Sequence, residues 1–123
     1  MAPISVTLAG REPPSAVVAL VGEHDAYTSH RLENELLVLL EEGRRIIVDL
    51  RDATFVDSMT LSALLSGRDA ADGCDLGLVL VLSERSYTPV HQILDITGLR
   101  SEFRIFDDVD DALRSFRDRQ RVA

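Results

Sequence analysis

The run LGLVLVL, Leu76 to Leu82, restricts the possible folds more than any other part of this chain. It is apolar at successive positions rather than alternate ones, and it has the length of a strand. It therefore reads as a strand covered on both faces, the kind found in parallel sheets whose crossover helices lie on either side. The segments before it fit that reading. Leu32, Leu36, Leu39 and Leu40 fall on one helical face that Gly43 is placed to end, and Arg45 to Leu50 reads as a strand. After ATFVD, a second helix spans about Ser58 to Asp72 and is closed by Gly73, with Leu61, Leu64 and Leu65 on its inner side.

The two ends of the chain complete the pattern. Ile4, Val6 and Leu8 alternate with polar or small residues, Gly10 to Pro14 breaks the chain, and Ala16 to Val21 is apolar throughout, which predicts two strands joined by a turn. Thr88 and Pro89 suit the cap and first position of a further helix, with Val90, Ile93 and Leu94 facing inward and Gly98 at its end. Phe103 to Phe106 predicts a last strand and Asp107 to Arg121 a last helix. Asp107, Asp108, Asp110 and Asp111 open that helix and Arg114, Arg117, Arg119 and Arg121 follow, an order that favours the helix dipole and scatters the carboxylates too widely for a metal site. The expected fold is α/β, with a small mixed, mostly parallel β-sheet and packed α-helices. The 123 residues form a single domain with its core in about residues 4–116.

Composition narrows the function. Hydrophobic residues make up 46% and charged residues 28%, an ordinary globular balance. The net charge of -8 comes from 21 acidic residues against 13 basic ones, all of them Arg, and this argues against nucleic acid as a partner. No segment has the roughly 20 apolar residues of a membrane span. Cys74 is alone and incidental, and the start MAPISVTLAGR lacks the features of a signal peptide, so a cytoplasmic protein, monomeric when free, is expected.

Parallel sheets gather the loops after their strands at one edge, where ligands and partners bind. Three loops should meet there: Gly22 to Thr28, Asp52 to Ser58, and Ser83 to Thr88, bringing Asp25, Asp57, Ser58 and Ser86 near one another. Ser58, at the start of a helix and after an acid, is the cap of that helix, a reactive group, or both. Asp57 could be a second cap, and Asp25 a turn-former. A receiver domain would need a lysine beside its phosphoacceptor, and this chain has none. A serine hydrolase would place Ser58 on a G-x-S-x-G elbow with a histidine in reach, whereas VDSMT has neither glycine, and His24 and His91 read as surface residues. With no P-loop and no G-x-G-x-x-G, the chain is expected to have no catalytic activity, cofactor or metal.

With LVGEHD at Leu20 to Asp25, FVDSMTL at Phe55 to Leu61 and ILDITGL at Ile93 to Leu99, the chain resembles the STAS domain, and more narrowly the bacterial anti-sigma factor antagonists. The similarity covers roughly Ile4 to Phe116. It implies a partner switch. In such proteins the serine of the D-S motif is phosphorylated by an anti-sigma factor that is itself a kinase, the phosphorylated form releases that partner, and a PP2C-type phosphatase resets the cycle. Carried onto this chain, the resemblance implies that Ser58 is the phosphoacceptor and that Asp25, Asp57, Ser58, Met59 and Thr60 bind the partner. The family usually follows D-S with a small hydroxyl residue and glycine. Met59 and Thr60 stand there instead, and Thr60 is expected to present a branched side chain to the partner. Within the family the alternative is a scaffold subunit of a signalling or transport complex. Outside it, the alternative is a hydrolase using Ser58.

Overall fold

The computed structural model describes residues 3–122. Strands β1 (Ile4–Arg11) and β2 (Pro14–Leu20) form the expected hairpin. The chain continues through β3 (Gly22–His24), α1 (Ala26–Glu41), β4 (Arg45–Asp49), β5 (Ala53–Val56), α2 (Ser58–Gly73) and β6 (Leu78–Val81). It ends with α3 (Pro89–Thr97), a 3-10 turn at Leu99–Glu102, β7 (Ile105–Phe106) and α4 (Val109–Val122). The main sheet has the order β1-β2-β4-β6-β7; β1 is antiparallel to β2 and the other neighbours are parallel. This is the mixed, mostly parallel α/β sheet that the sequence implies.

The apolar run that anchored the sequence reading is covered on both sides. Leu78, Leu80 and Leu82 enter one core with Leu32, Leu36, Leu61 and Leu64 from α1 and α2. Val79 and Val81 point the other way and join Ile47, Ala112 and Phe116 of the face covered by α4. Truncating a fully buried leucine such as Leu80 to alanine should cost about 2–5 kcal/mol, a large part of the stability of a domain this size.

Local rules set most element ends. Thr88 caps α3 in an extended conformation, with Pro89 behind it, and Gly98 ends the helix at φ 72°, in the left-handed region that glycine enters without strain. Helix α4 starts two residues later than the sequence indicates, because Asp108 acts before it and accepts the Asp111 N–H at 2.8 Å. Asp107 accepts the Glu84 N–H at 2.9 Å and Asp111 pairs with Arg114 at 3.1 Å, so these carboxylates serve the helix start and its neighbours. The side chains of Arg119 and Arg121 lie outside the described part of the chain.

Two short elements were not legible as strands. After Leu20 the chain turns at Gly22, which has φ 80°, and β3 leaves the main sheet; after Leu50, β5 does the same. The two pair in parallel as a separate sheet, with Glu23 opposite Phe55 and His24 opposite Val56. Three or four residues are too few to show a period, and the pairing exists only once β2 and β4 lie side by side.

Candidate functional site

The β3–β5 pair sets two helix starts next to each other. The Asp57 N–H donates to the His24 carbonyl at 3.0 Å, which ties the residue before α2 to the residue before Asp25. Asp25 caps α1, its carboxylate accepting the Tyr27 N–H at 3.0 Å and its carbonyl the Thr28 and Ser29 N–H groups at 3.1 Å. Asp57 caps α2 in the same way: its carboxylate accepts the Thr60 N–H at 2.9 Å and its carbonyl the Leu61 N–H at 3.1 Å. The structure therefore brings Asp25, Asp57 and Ser58 to one edge, as expected.

Three details correct the sequence reading. First, Ser58 is not the cap. Asp57 has the extended backbone that swings a side chain over the helix end (φ −95°, ψ −179°), and Ser58 is the first helical residue. Its hydroxyl is exposed and makes no hydrogen bond among the described residues. Second, Thr60 does not present its side chain to a partner: it is 0% exposed, and its hydroxyl donates to the Asp57 carboxylate at 3.0 Å. Met59, by contrast, is 47% exposed.

Third, His24 and His91 are core residues. His24 is fully buried, with Nε2 against the Val21 carbonyl at 3.1 Å. His91, also buried, accepts the Thr88 N–H at Nδ1 (3.0 Å), which leaves the proton on Nε2 to donate to the Ser83 carbonyl at 2.8 Å. Neither ring bonds to Ser58. The third loop of the edge, Ser83 to Thr88, is held by His91, which bonds the Ser83 carbonyl, and by Asp107, which accepts the Glu84 N–H. Within that loop the Tyr87 hydroxyl donates to the Asp95 carboxylate at 2.6 Å, which raises the phenol above its ordinary pKa.

Tyr27 and Phe55 were missed in the sequence. Tyr27, the second residue of α1, is 91% exposed, and Phe55, on β5 opposite Glu23, is 46% exposed. The available signal was an aromatic residue out of phase with its element's apolar face. Around Ser58, the segments Leu20–Thr28 and Asp52–Leu61 hold four carboxylates, Glu23, Asp25, Asp52 and Asp57, and no arginine. Arg51, just outside, is held by Asp49 at 2.9 and 3.0 Å. The edge is thus acidic with apolar side chains standing out of it. Among the described residues no group of three His, Cys, Asp or Glu is placed to hold a metal ion.

A model of the STAS domain family matches residues 7–112, most of the chain. The chain belongs to the STAS domain family. Several solved structures share its fold. An anti-sigma factor antagonist from Mycobacterium paratuberculosis is 23% identical with a TM-score of 0.76, over 93% of this chain and 94% of that one. The Bacillus cell fate determinant SpoIIAA in its phosphorylated form is 16% identical with a TM-score of 0.68, over 91% and 97%. A sulfate transporter family protein from Wolinella succinogenes is 24% identical with a TM-score of 0.62, over 80% and 81%. No curated protein sequence matches the chain. Among the described residues, no helix of this STAS domain is long and apolar enough to cross a membrane.

Proposed function

We propose that this STAS domain is an anti-sigma factor antagonist working in the cytoplasm as a phosphorylation-controlled partner switch. Unphosphorylated, it binds an anti-sigma factor with serine kinase activity; phosphorylated on Ser58, it lets that partner go, and a PP2C-type phosphatase restores it. The observation that carries the reading is the division of labour between Asp57 and Ser58. Asp57 performs the capping, so the exposed Ser58 hydroxyl has no structural bond to give up when it is modified. The edge around it is suited to binding rather than to turnover, since neither buried histidine bonds to Ser58.

Asp25, Asp57, Ser58 and Met59 contribute the partner surface, with Tyr27 and Phe55 adding apolar area, while Thr60 contributes by holding Asp57. A partner with apolar and basic groups fits such an edge. Phosphate would add about −1.5 to −2 charge units beside these carboxylates, opposing the docking of any surface that must desolvate it. The test is phosphate transfer from ATP by a purified anti-sigma factor kinase. Incorporation should be lost in Ser58→Ala, and equal incorporation in parent and variant would refute the assignment.

A further inference from the structure

Strand β1 forms one edge of the main sheet, and among the described residues β2 is its only neighbour there. The Pro3 carbonyl accepts the Val21 N–H at 2.9 Å, so it faces β2, and by the two-residue period of a strand the backbone groups of Ser5, Thr7 and Ala9 do the same. The N–H and carbonyl groups of Val6 and Leu8 therefore point away from the sheet. That side of the strand is open: Ser5 to Leu8 are all exposed, Val6 at 37% and Leu8 at 59%. Their side chains lie on the face of β1 that carries Ile4 into the core, opposite the buried Val18 and Ala16. The usual guards of a sheet edge are missing. From Ile4 to Gly10 there is no charged residue and no proline, and the one irregularity in the pairing lies at the end, between Ala9 and Arg11.

We propose that this edge binds a second copy of itself, β1 antiparallel to β1, joining two sheets into one. Thr7 is the midpoint of the uncharged stretch, so a two-fold axis there pairs the stretch only with itself. Val6 of each copy then lies opposite Leu8 of the other, and the outward N–H and carbonyl groups of both meet their complements. Val6 and Leu8 of the two copies gather on one face, and Thr7 faces Thr7 on the other. An axis at Leu8 would instead set Ser5 against Arg11 and Ile4 against Glu12. Charge selects a second copy as the occupant. A strand that pairs with itself cannot carry a charge at its centre, since that charge would face its like, and β1 meets this condition in a chain of net charge -8 whose copies otherwise repel. Pairing along one strand buries less than the about 1,200–2,000 Å² of a stable interface, so the dimer is reversible, with a dissociation constant on the order of 10–100 μM, and the expected monomer is the dilute form.

Because the paired strands run in opposite directions, the two Ser58 edges point to opposite ends of the joined sheet and both stay open. Sedimentation equilibrium of the whole chain, from about 1 μM to about 1 mM, should show a monomer passing to a dimer and no further. Thr7→Lys sets two like charges against each other on the axis and should weaken the dimer at least about tenfold, with circular dichroism reporting that the fold is kept. In a Cys74→Ser background, which removes the exposed native thiol, Thr7→Cys should form a disulfide-linked dimer at least about tenfold faster than Ser5→Cys, because only the residue on the axis meets its own copy at disulfide distance. A parent that stays monomeric to about 1 mM would overturn the proposal, whether the edge is left bare or takes a strand of another protein. So would a dimer that Thr7→Lys leaves intact, or equal cross-linking at the two cysteine positions.

Discussion

The carboxylate of Asp57 accepts both hydrogen bonds that Thr60 offers, the backbone N–H at 2.9 Å and the hydroxyl at 3.0 Å. Because Thr60 is fully buried, this pair is a structural joint as well as a helix cap. Asp57→Ala should therefore lose about 0.5–2 kcal/mol from the cap, with a further contribution from the stranded hydroxyl. Ser58→Ala should stay within about 0.5 kcal/mol of the parent, since its hydroxyl holds nothing. Thermal melts of the two variants decide it, and a larger loss in Ser58→Ala would reverse the roles assigned here.

The hydroxyl of Thr60 can be isolated from its shape. Thr60→Val keeps the branched volume and the capping N–H but deletes one bond to Asp57, at an expected cost of about 0.5–1.5 kcal/mol. Thr60→Ser keeps the hydroxyl and should retain the bond. Denaturant unfolding of both should therefore show a loss from the missing bond in the valine variant; a valine variant as stable as the parent would show that the bond contributes nothing.

A negative charge at Ser58 should act on binding before it acts on folding. The residue is exposed at a helix start, where the dipole favours an anion although Asp57 and Asp25 oppose it. Ser58→Asp is expected to change stability by about 1 kcal/mol at most, a few degrees in melting temperature. On the proposed function it should bind its anti-sigma factor partner at least about tenfold more weakly. A melt and a titration separate the two effects: unchanged affinity would defeat the electrostatic account, and collapse of the fold would mean that charge acts by unfolding.

The Tyr87–Asp95 bond gives a pH signature. The hydroxyl donates to the carboxylate, chiefly through that hydrogen bond, which favours the neutral phenol and raises its folded-state pKa; Arg100, paired with Asp95 at 3.0 Å, works against the shift. A raised folded-state value means that the stabilisation is complete below the unfolded phenol's pKa and disappears as pH rises through the folded one. Ultraviolet titration should show a late phenolate component that is lost in Tyr87→Phe and moves to lower pH in Asp95→Asn. A titration curve unmoved by Asp95→Asn would remove that carboxylate as the cause.

What the sequence determined by itself is what short-range periodicity and chain punctuation encode. The two-faced burial of Leu76–Leu82, the apolar stripes of α1 and α2, Thr88 with Pro89, and Gly98 all follow from spacing along a few residues, because an element's buried face is repeated in its own sequence. The helical spacing of Leu61, Leu64 and Leu65 placed Ser58 at a helix start for the same reason. The tertiary structure decided everything that depends on which residues meet. Asp57 and Ser58 are both good caps, and the choice between them was made by the β3–β5 pairing, which fixes where the backbone passes from extended to helical. Tertiary packing buried His24, turned Thr60 inward, and set Arg68 on the carbonyl of Glu102, 34 residues away. Such contacts join residues distant in the chain and leave no period in the sequence, so only the folded arrangement contains them.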